Sequence, residues 1–282
     1  MSVLVSVPRR VTSVAFVAVL LAGGSVACGG GVKSNSAVAN PPKVTPAEAV
    51  AKAGKNAEAI TSLRYRISGT VPGKGRLEAE ASMTTQPLAM SMKMTATASQ
   101  GGNGLLEIRF VDKVMYLGGS AVRPEKLNGK SWLTAAPAIW GRGGVDNQSY
   151  GILPSQLQAS PIAQSTLLTG SKDLRLIGTE TVDGIKSTHY KGTVNSKGLI
   201  RGSLDQFIQL EVSDPLTMDV WIDGDGRTRQ FRMRAEHDDN VVGTGDGPLD
   251  LTVTFLDINQ PVTIKAPPTK DTAPLAADAQ GG

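Results

Sequence analysis

The chain has 282 residues, 40% hydrophobic, 19% charged and 4% aromatic, with a formal charge of +4 and a single cysteine. One cysteine excludes an internal disulfide framework, and no run of 18 or more apolar residues lies beyond the first thirty positions, so the body carries no membrane-spanning helix in its sequence. Arg9 and Arg10 are the only charges in residues 1–27, leaving 27 basic against 25 acidic side chains, a balance that argues against nucleic-acid binding.

The N-terminus reads as an export signal. Arg9 and Arg10 precede an apolar stretch from Val11 to Ala22, and the small residues Gly23, Gly24, Ser25, Val26 and Ala27 follow. Ser25 and Ala27 fit an ordinary signal-peptidase site. The residue after that cut is Cys28, and the segment from Leu21 to Cys28 resembles a bacterial lipobox, in which the cysteine takes a diacylglyceryl thioether. Ser25 departs from the aliphatic residue usual at that position of the pattern. The alternative for Cys28 is a free thiol in a discarded or flexible segment. The lipobox reading makes residues 1–27 a lipoprotein signal peptide and Cys28 the attachment point. Residues 28–44 are then a tether whose Gly, Ser, Asn and Pro content gives a coil of about 20–25 Å. A single domain is expected over residues 45–265, followed by a disordered tail at 266–282 rich in Ala, Pro, Thr and Gly.

The domain opens with a helix expected over 45–60. Thr45 is placed to cap it, Pro46 stands at its first position, and Glu48 completes a capping box. Alternating strands follow: Arg64 to Thr70, Arg76 to Met83, Met90 to Thr95, Leu106 to Phe110, and Met115 with Leu117. Leu174 and Leu176 lead into the Val182-Asp183-Gly184-Ile185 hairpin, whose return strand holds Thr188, Tyr190 and Val194. Met218, Val220 and Ile222 alternate with Asp219, Trp221 and Asp223. Phe231, Met233 and Ala235 alternate with Gln230, Arg232 and Arg234. Leu251, Val253 and Phe255 close the series. Further helices are expected at Pro161 to Leu168 and at Leu199 to Leu210, where Leu204, Phe207 and Ile208 are apolar. The fold class is therefore α+β, a curved antiparallel sheet or half-barrel with helices across its concave apolar face.

Lys130-Ser131-Trp132, the Gly178-to-Gly184 hairpin with Thr188-His189-Tyr190, and Val220-Trp221-Ile222-Asp223-Gly224-Asp225-Gly226-Arg227 carry a family resemblance. With the lipobox, tether and order of elements, they make the chain similar to the actinobacterial lipoproteins of the LppX/LprG type, and more distantly to LolA-like carriers. The resemblance spans about residues 45–260 as an architecture. It implies a hydrophobic cavity between sheet and helices that holds a lipid or lipoglycan. Its candidate lining is Met90, Met92, Met94, Leu106, Ile108, Phe110, Met115, Val220, Ile222, Phe231 and Met233. The residues alone favour a dry core, since an apolar strand face usually packs, and it is the resemblance that turns the reading to a cavity. Methionine does, however, adapt to irregular apolar shapes.

No catalytic constellation proposes an enzyme. His189, beside Tyr190, is expected on a strand surface. His237-Asp238-Asp239 reads as a solvated turn, since three consecutive loop side chains do not converge on one ion. Asp223-Gly224-Asp225-Gly226 lacks the further ligands of a calcium loop. The expected function is a non-enzymatic lipid carrier or chaperone on the outer face of the cell membrane, anchored through Cys28. No cofactor, metal or nucleic acid is expected, and any protein partner is unspecified. The second reading is a sensor or protein-interaction module of the same fold without cargo.

Overall fold

The computed structural model describes residues 44–71, 75–96, 104–122, 127–135, 161–194, 215–235 and 247–274. The helix α1 (Pro46–Ala57) starts at the anticipated capping box. Glu48 N–H donates to the Thr45 hydroxyl at 3.3 Å, and Thr45 N–H donates to the Glu48 carboxylate at 2.8 Å. The helix stops short of residue 60. Glu58 N–H reaches back to Lys55 O, closing a tighter final turn that redirects the chain into the first strand.

The strands are β1 (Ser62–Val71), β2 (Gly75–Thr85), β3 (Leu88–Ala96), β4 (Gly104–Val111), β5 (Val114–Gly118), β6 (Trp132–Ala135), β7 (Arg175–Val182), β8 (Ile185–Val194), β9 (Leu216–Asp223), β10 (Thr228–Ala235), β11 (Leu249–Ile258) and β12 (Thr272–Pro274). They form one open, curved, 12-stranded sheet in the order β12-β6-β5-β4-β3-β2-β1-β11-β10-β9-β8-β7. Every pairing is antiparallel except β12 on β6. The chain lays down two meanders, β1 to β6 and β7 to β11, joined where β1 pairs with β11.

Register turns the alternation into continuous apolar rows. One row runs Leu133, Leu117, Ile108, Met92, Ala81, Tyr65, Phe255 across β6 to β11. A second runs Leu106, Met94, Ala79, Ile67, Val253, Phe231, Val220, Tyr190 from β4 to β8. The opposite face carries exposed pairs such as Arg64–Asp257 at 2.7 Å and Arg66–Glu80 at 3.7 Å. These set polarity more than stability.

The expected helical piece at Pro161 to Leu168 is a 3-10 segment, Pro161–Gly170. It packs against α1, and the two touch β8, β9 and β10. The described helices therefore cover one end of the apolar face rather than its whole breadth, and the molecule is dominated by its sheet. The expected helix at Leu199 to Leu210 lies outside the described residues.

The expected tail also begins too early. After β11 the chain crosses the polar face, where Arg109 donates to Lys265 O at 3.1 Å. It then forms a short 3-10 turn, Thr269–Asp271, and β12. Lys130 Nζ donates to Lys270 O at 2.8 Å and Ser131 N–H to Asp271 O at 3.0 Å. Pairing with β6 satisfies a backbone edge that would otherwise stand open, which is why residues 272–274 of this Pro- and Thr-rich stretch form a strand.

Candidate apolar binding face

All eleven expected lining residues lie in one buried cluster, none more than 5% exposed. They fall in two patches. Met90, Met92, Met94, Leu106, Ile108, Phe110 and Met115 stand on β3, β4 and β5, with Met90 opposite Phe110 and Phe110 opposite Met115. Val220, Ile222, Phe231 and Met233 stand on β9 and β10, with Val220 opposite Phe231. The strands between them supply residues that sequence reasoning left off this face, among them Tyr65, Ile67, Ala79, Ala81, Met83 and Phe255. Their alternation was legible, but only the pairing of β1 with β11 joins the two patches.

Of the eight methionines, all except Met1 are in this cluster: Met83, Met90, Met92, Met94, Met115, Met218 and Met233. Such flexible, polarisable side chains adapt to an irregular apolar shape more readily than branched ones. Between them, Ala79 and Ala81 keep the centre of β2 low. Tyr65 is buried on the same face, with its hydroxyl 3.8 Å from Met90 Sδ, and burial pushes its phenol well above the ordinary range. Its ring lies 6.3 Å from that of Phe255, which is 6.0 Å from Phe231.

The covering elements are fixed by polar contacts. Ser165 and Thr228, both buried, share a hydroxyl hydrogen bond at 3.1 Å, which seats the 3-10 segment on β10. Asn56 donates to Gly226 O at 2.8 Å, tying α1 to the β9–β10 turn. Gly54 allows the close approach of α1, since a Cβ there would lie 2.6 Å from Thr166 Cγ2.

The polar candidates resolve differently. In the turn Asp223-Gly224-Asp225-Gly226, the Asp223 carboxylate accepts from Asp225 N–H at 3.0 Å, Arg227 N–H at 2.9 Å and Arg229 Nε at 2.7 Å. Its oxygens hold the turn itself. Among the described residues no group of three or more His, Cys, Asp or Glu is placed to hold a metal. His189 corrects the expectation of a surface histidine. It is 8% exposed and sits between carboxylates from the strands on either side, contacts invisible in its local sequence. Cys28 and His237 lie outside the described residues. No described helix is long and apolar enough to cross a membrane.

Comparison with known proteins supports the resemblance read from the sequence. The LppX_LprAFG lipoprotein family model matches residues 152–264. LprF from Mycobacterium bovis is similar in structure, with a TM-score of 0.53 and 15% identity over 79% of this chain and 96% of that one. LppX from Mycobacterium tuberculosis aligns with a TM-score of 0.48 and 17% identity over 78% and 98% of the two chains. An uncharacterised 31.2 kDa protein of the rplA-rplJ intergenic region of Streptomyces griseus is 24% identical over 188 residues, or 63% of this chain. The match spans 59% of that relative's length.

Proposed function

We propose that this chain is a lipoprotein of the LppX/LprG type that binds an acyl-bearing lipid or glycolipid against the apolar face of its sheet and acts as a carrier or chaperone in the cell envelope. The observation that carries the reading is the single methionine-rich face formed by both meanders, with seven methionines among aliphatic side chains and few aromatics. An acyl chain needs a long, adaptable apolar surface and no directional polar contacts, and this face supplies that chemistry. Binding rather than covalent chemistry is the action proposed. Cys28, with the lipobox before it and the tether after it, is the proposed anchor to the outer face of the membrane. Two acyl chains give stable attachment where one is marginal.

Lipid extraction and mass spectrometry of the protein purified from its own host test the cargo. The expected result is co-purified acyl lipid in near-stoichiometric amount. Apo protein alone, even after mild extraction, overturns the reading in favour of a dry core. Met92→Trp places an indole in the middle of the row that runs from Leu133 to Phe255, and a folded Met92→Trp protein, checked by circular dichroism, is expected to lose lipid uptake. Cys28→Ser is expected to move the protein from the membrane fraction to the medium. Retention in the membrane overturns the anchor.

A further inference from the structure

His189 projects from the polar face of β8 between two carboxylates. Its Nδ1 lies 2.8 Å from Glu180 Oε1 on β7, and its Nε2 lies 2.7 Å from Asp219 Oδ1 on β9. A neutral imidazole offers one N–H and one lone pair. It donates to one of these carboxylates and turns a lone pair on the other. Only the imidazolium, which donates from both nitrogens, satisfies both contacts at once. The ring is stacked on Trp221 at 4.2 Å and 16°, and Trp221 Nε1 donates to Glu180 Oε2 at 2.9 Å.

The surrounding charges are unequally placed. Asp219 is 2% exposed and also receives Arg234 of β10. Arg232, opposite Asp219 in the β9–β10 ladder, is taken by Asp250 of β11. Lys191, the next residue on the same face of β8, stands opposite Arg175 of β7, which pairs with Asp173 at 3.7 Å. Asp223, two residues beyond Trp221 on β9, is held by Arg229. The side chain of Glu180 is 50% exposed.

We propose that His189 is a protonation-dependent clasp for the sheet edge: as an imidazolium it ties β7 to β9 across β8, and on losing its proton it loosens β7, which is then held by its ladder with β8 and the Trp221–Glu180 bond. The remaining N–H stays with Asp219, whose buried carboxylate has little access to water, while water solvates Glu180. β7 is the strand to loosen because it has one hydrogen-bonded neighbour among the described strands, is largely exposed, and is broken by an irregularity between Leu176 and Gly178. Its fraying opens the edge of β8 beside Tyr190, where the second apolar row ends. The clasp stands on this geometry and is independent of the lipid-binding reading.

Amide hydrogen exchange of the full chain, read from about pH 5 to about pH 9 and corrected for intrinsic rates, tests it. Protection of the β7 amides is expected to fall about tenfold through a one-proton step as pH rises, while β3 holds its protection. In Glu180→Gln the side-chain amide donates to neutral Nδ1 and still accepts from Trp221. The step is therefore expected to vanish, with β7 docked at both ends of the range. His189→Gln is expected to abolish the step as well. Constant β7 protection in the native chain, or the same step surviving in either variant, overturns the proposal.

Discussion

Gly69 lies in β1 at φ 145°, and a Cβ there would meet Asp250 O at 1.9 Å. This position admits no other residue without moving β11, so Gly69→Ala is expected to cost about 3 kcal/mol in urea denaturation. Asp173 shows what hydrogen bonding does to an exposed carboxyl. The Ser171 hydroxyl foremost, then the Thr193 N–H and hydroxyl, hold it down at about 2, below its ordinary 3.8. A depressed folded-state value stabilises above the unfolded value and is lost as pH falls through the folded one. The melting temperature is therefore expected to drop from pH 3.8 toward about 2, with a smaller drop in Asp173→Asn. Glu180 is lowered by its bonds from Trp221 and then His189, and adds a loss of the same sign on the acid side. Gly69 and Asp173 did not stand out in the sequence, and Glu180, His189 and Trp221 did so only as parts of a hairpin and two strands. Asp250, Thr193 and the His189 carboxylates come from other strands, so most of this environment exists only after pairing.

At the scale of elements, the start of α1 was legible to the residue because a cap is local chemistry. Thr45, Pro46 and Glu48 act within one turn. Thr45→Ala is expected to cost about 1 kcal/mol by denaturant titration, since it removes an acceptor from the first turn. The long strands were legible as well, because eight or more residues allow several periods of alternation to show. β6 and β12, with four and three residues, hold too little pattern, and β12 owes its form to a partner some 140 positions earlier. Truncation after Pro268 is expected to raise hydrogen exchange in Trp132–Ala135 and leave β8 unchanged. Equal protection in the truncated and full chains would show that β6 needs no cover.

Over the whole molecule, the apolar rows cross the junction of two meanders, so a change in the centre is felt by both. Met90 is fully buried between Met83 and Phe110. Met90→Ala is expected to destabilise by about 2–5 kcal/mol in denaturant titration, the upper end applying if the surrounding side chains fail to collapse. Among the described strands the sheet has two outer ones, β7 and β12. The irregularity in β7 is a device that discourages pairing with another chain. Alternation marks the apolar residues of both patches in the sequence but not most of the middle, because alternation without register does not say which strands are neighbours.

Composition and order alone determined the antiparallel, one-faced character of the sheet, the capped helix, the methionine enrichment of the apolar side and the family resemblance. Each follows from local periodicity or short-range chemistry. Only the tertiary structure decided that β1 pairs with β11 and merges two faces into one, that the stretch ending at residue 274 closes an edge, and that His189 is buried between Glu180 and Asp219. The physical reason is the same in all three. Register brings distant residues into contact, and a strand's own pattern fixes which side chains share a face but not what they will face.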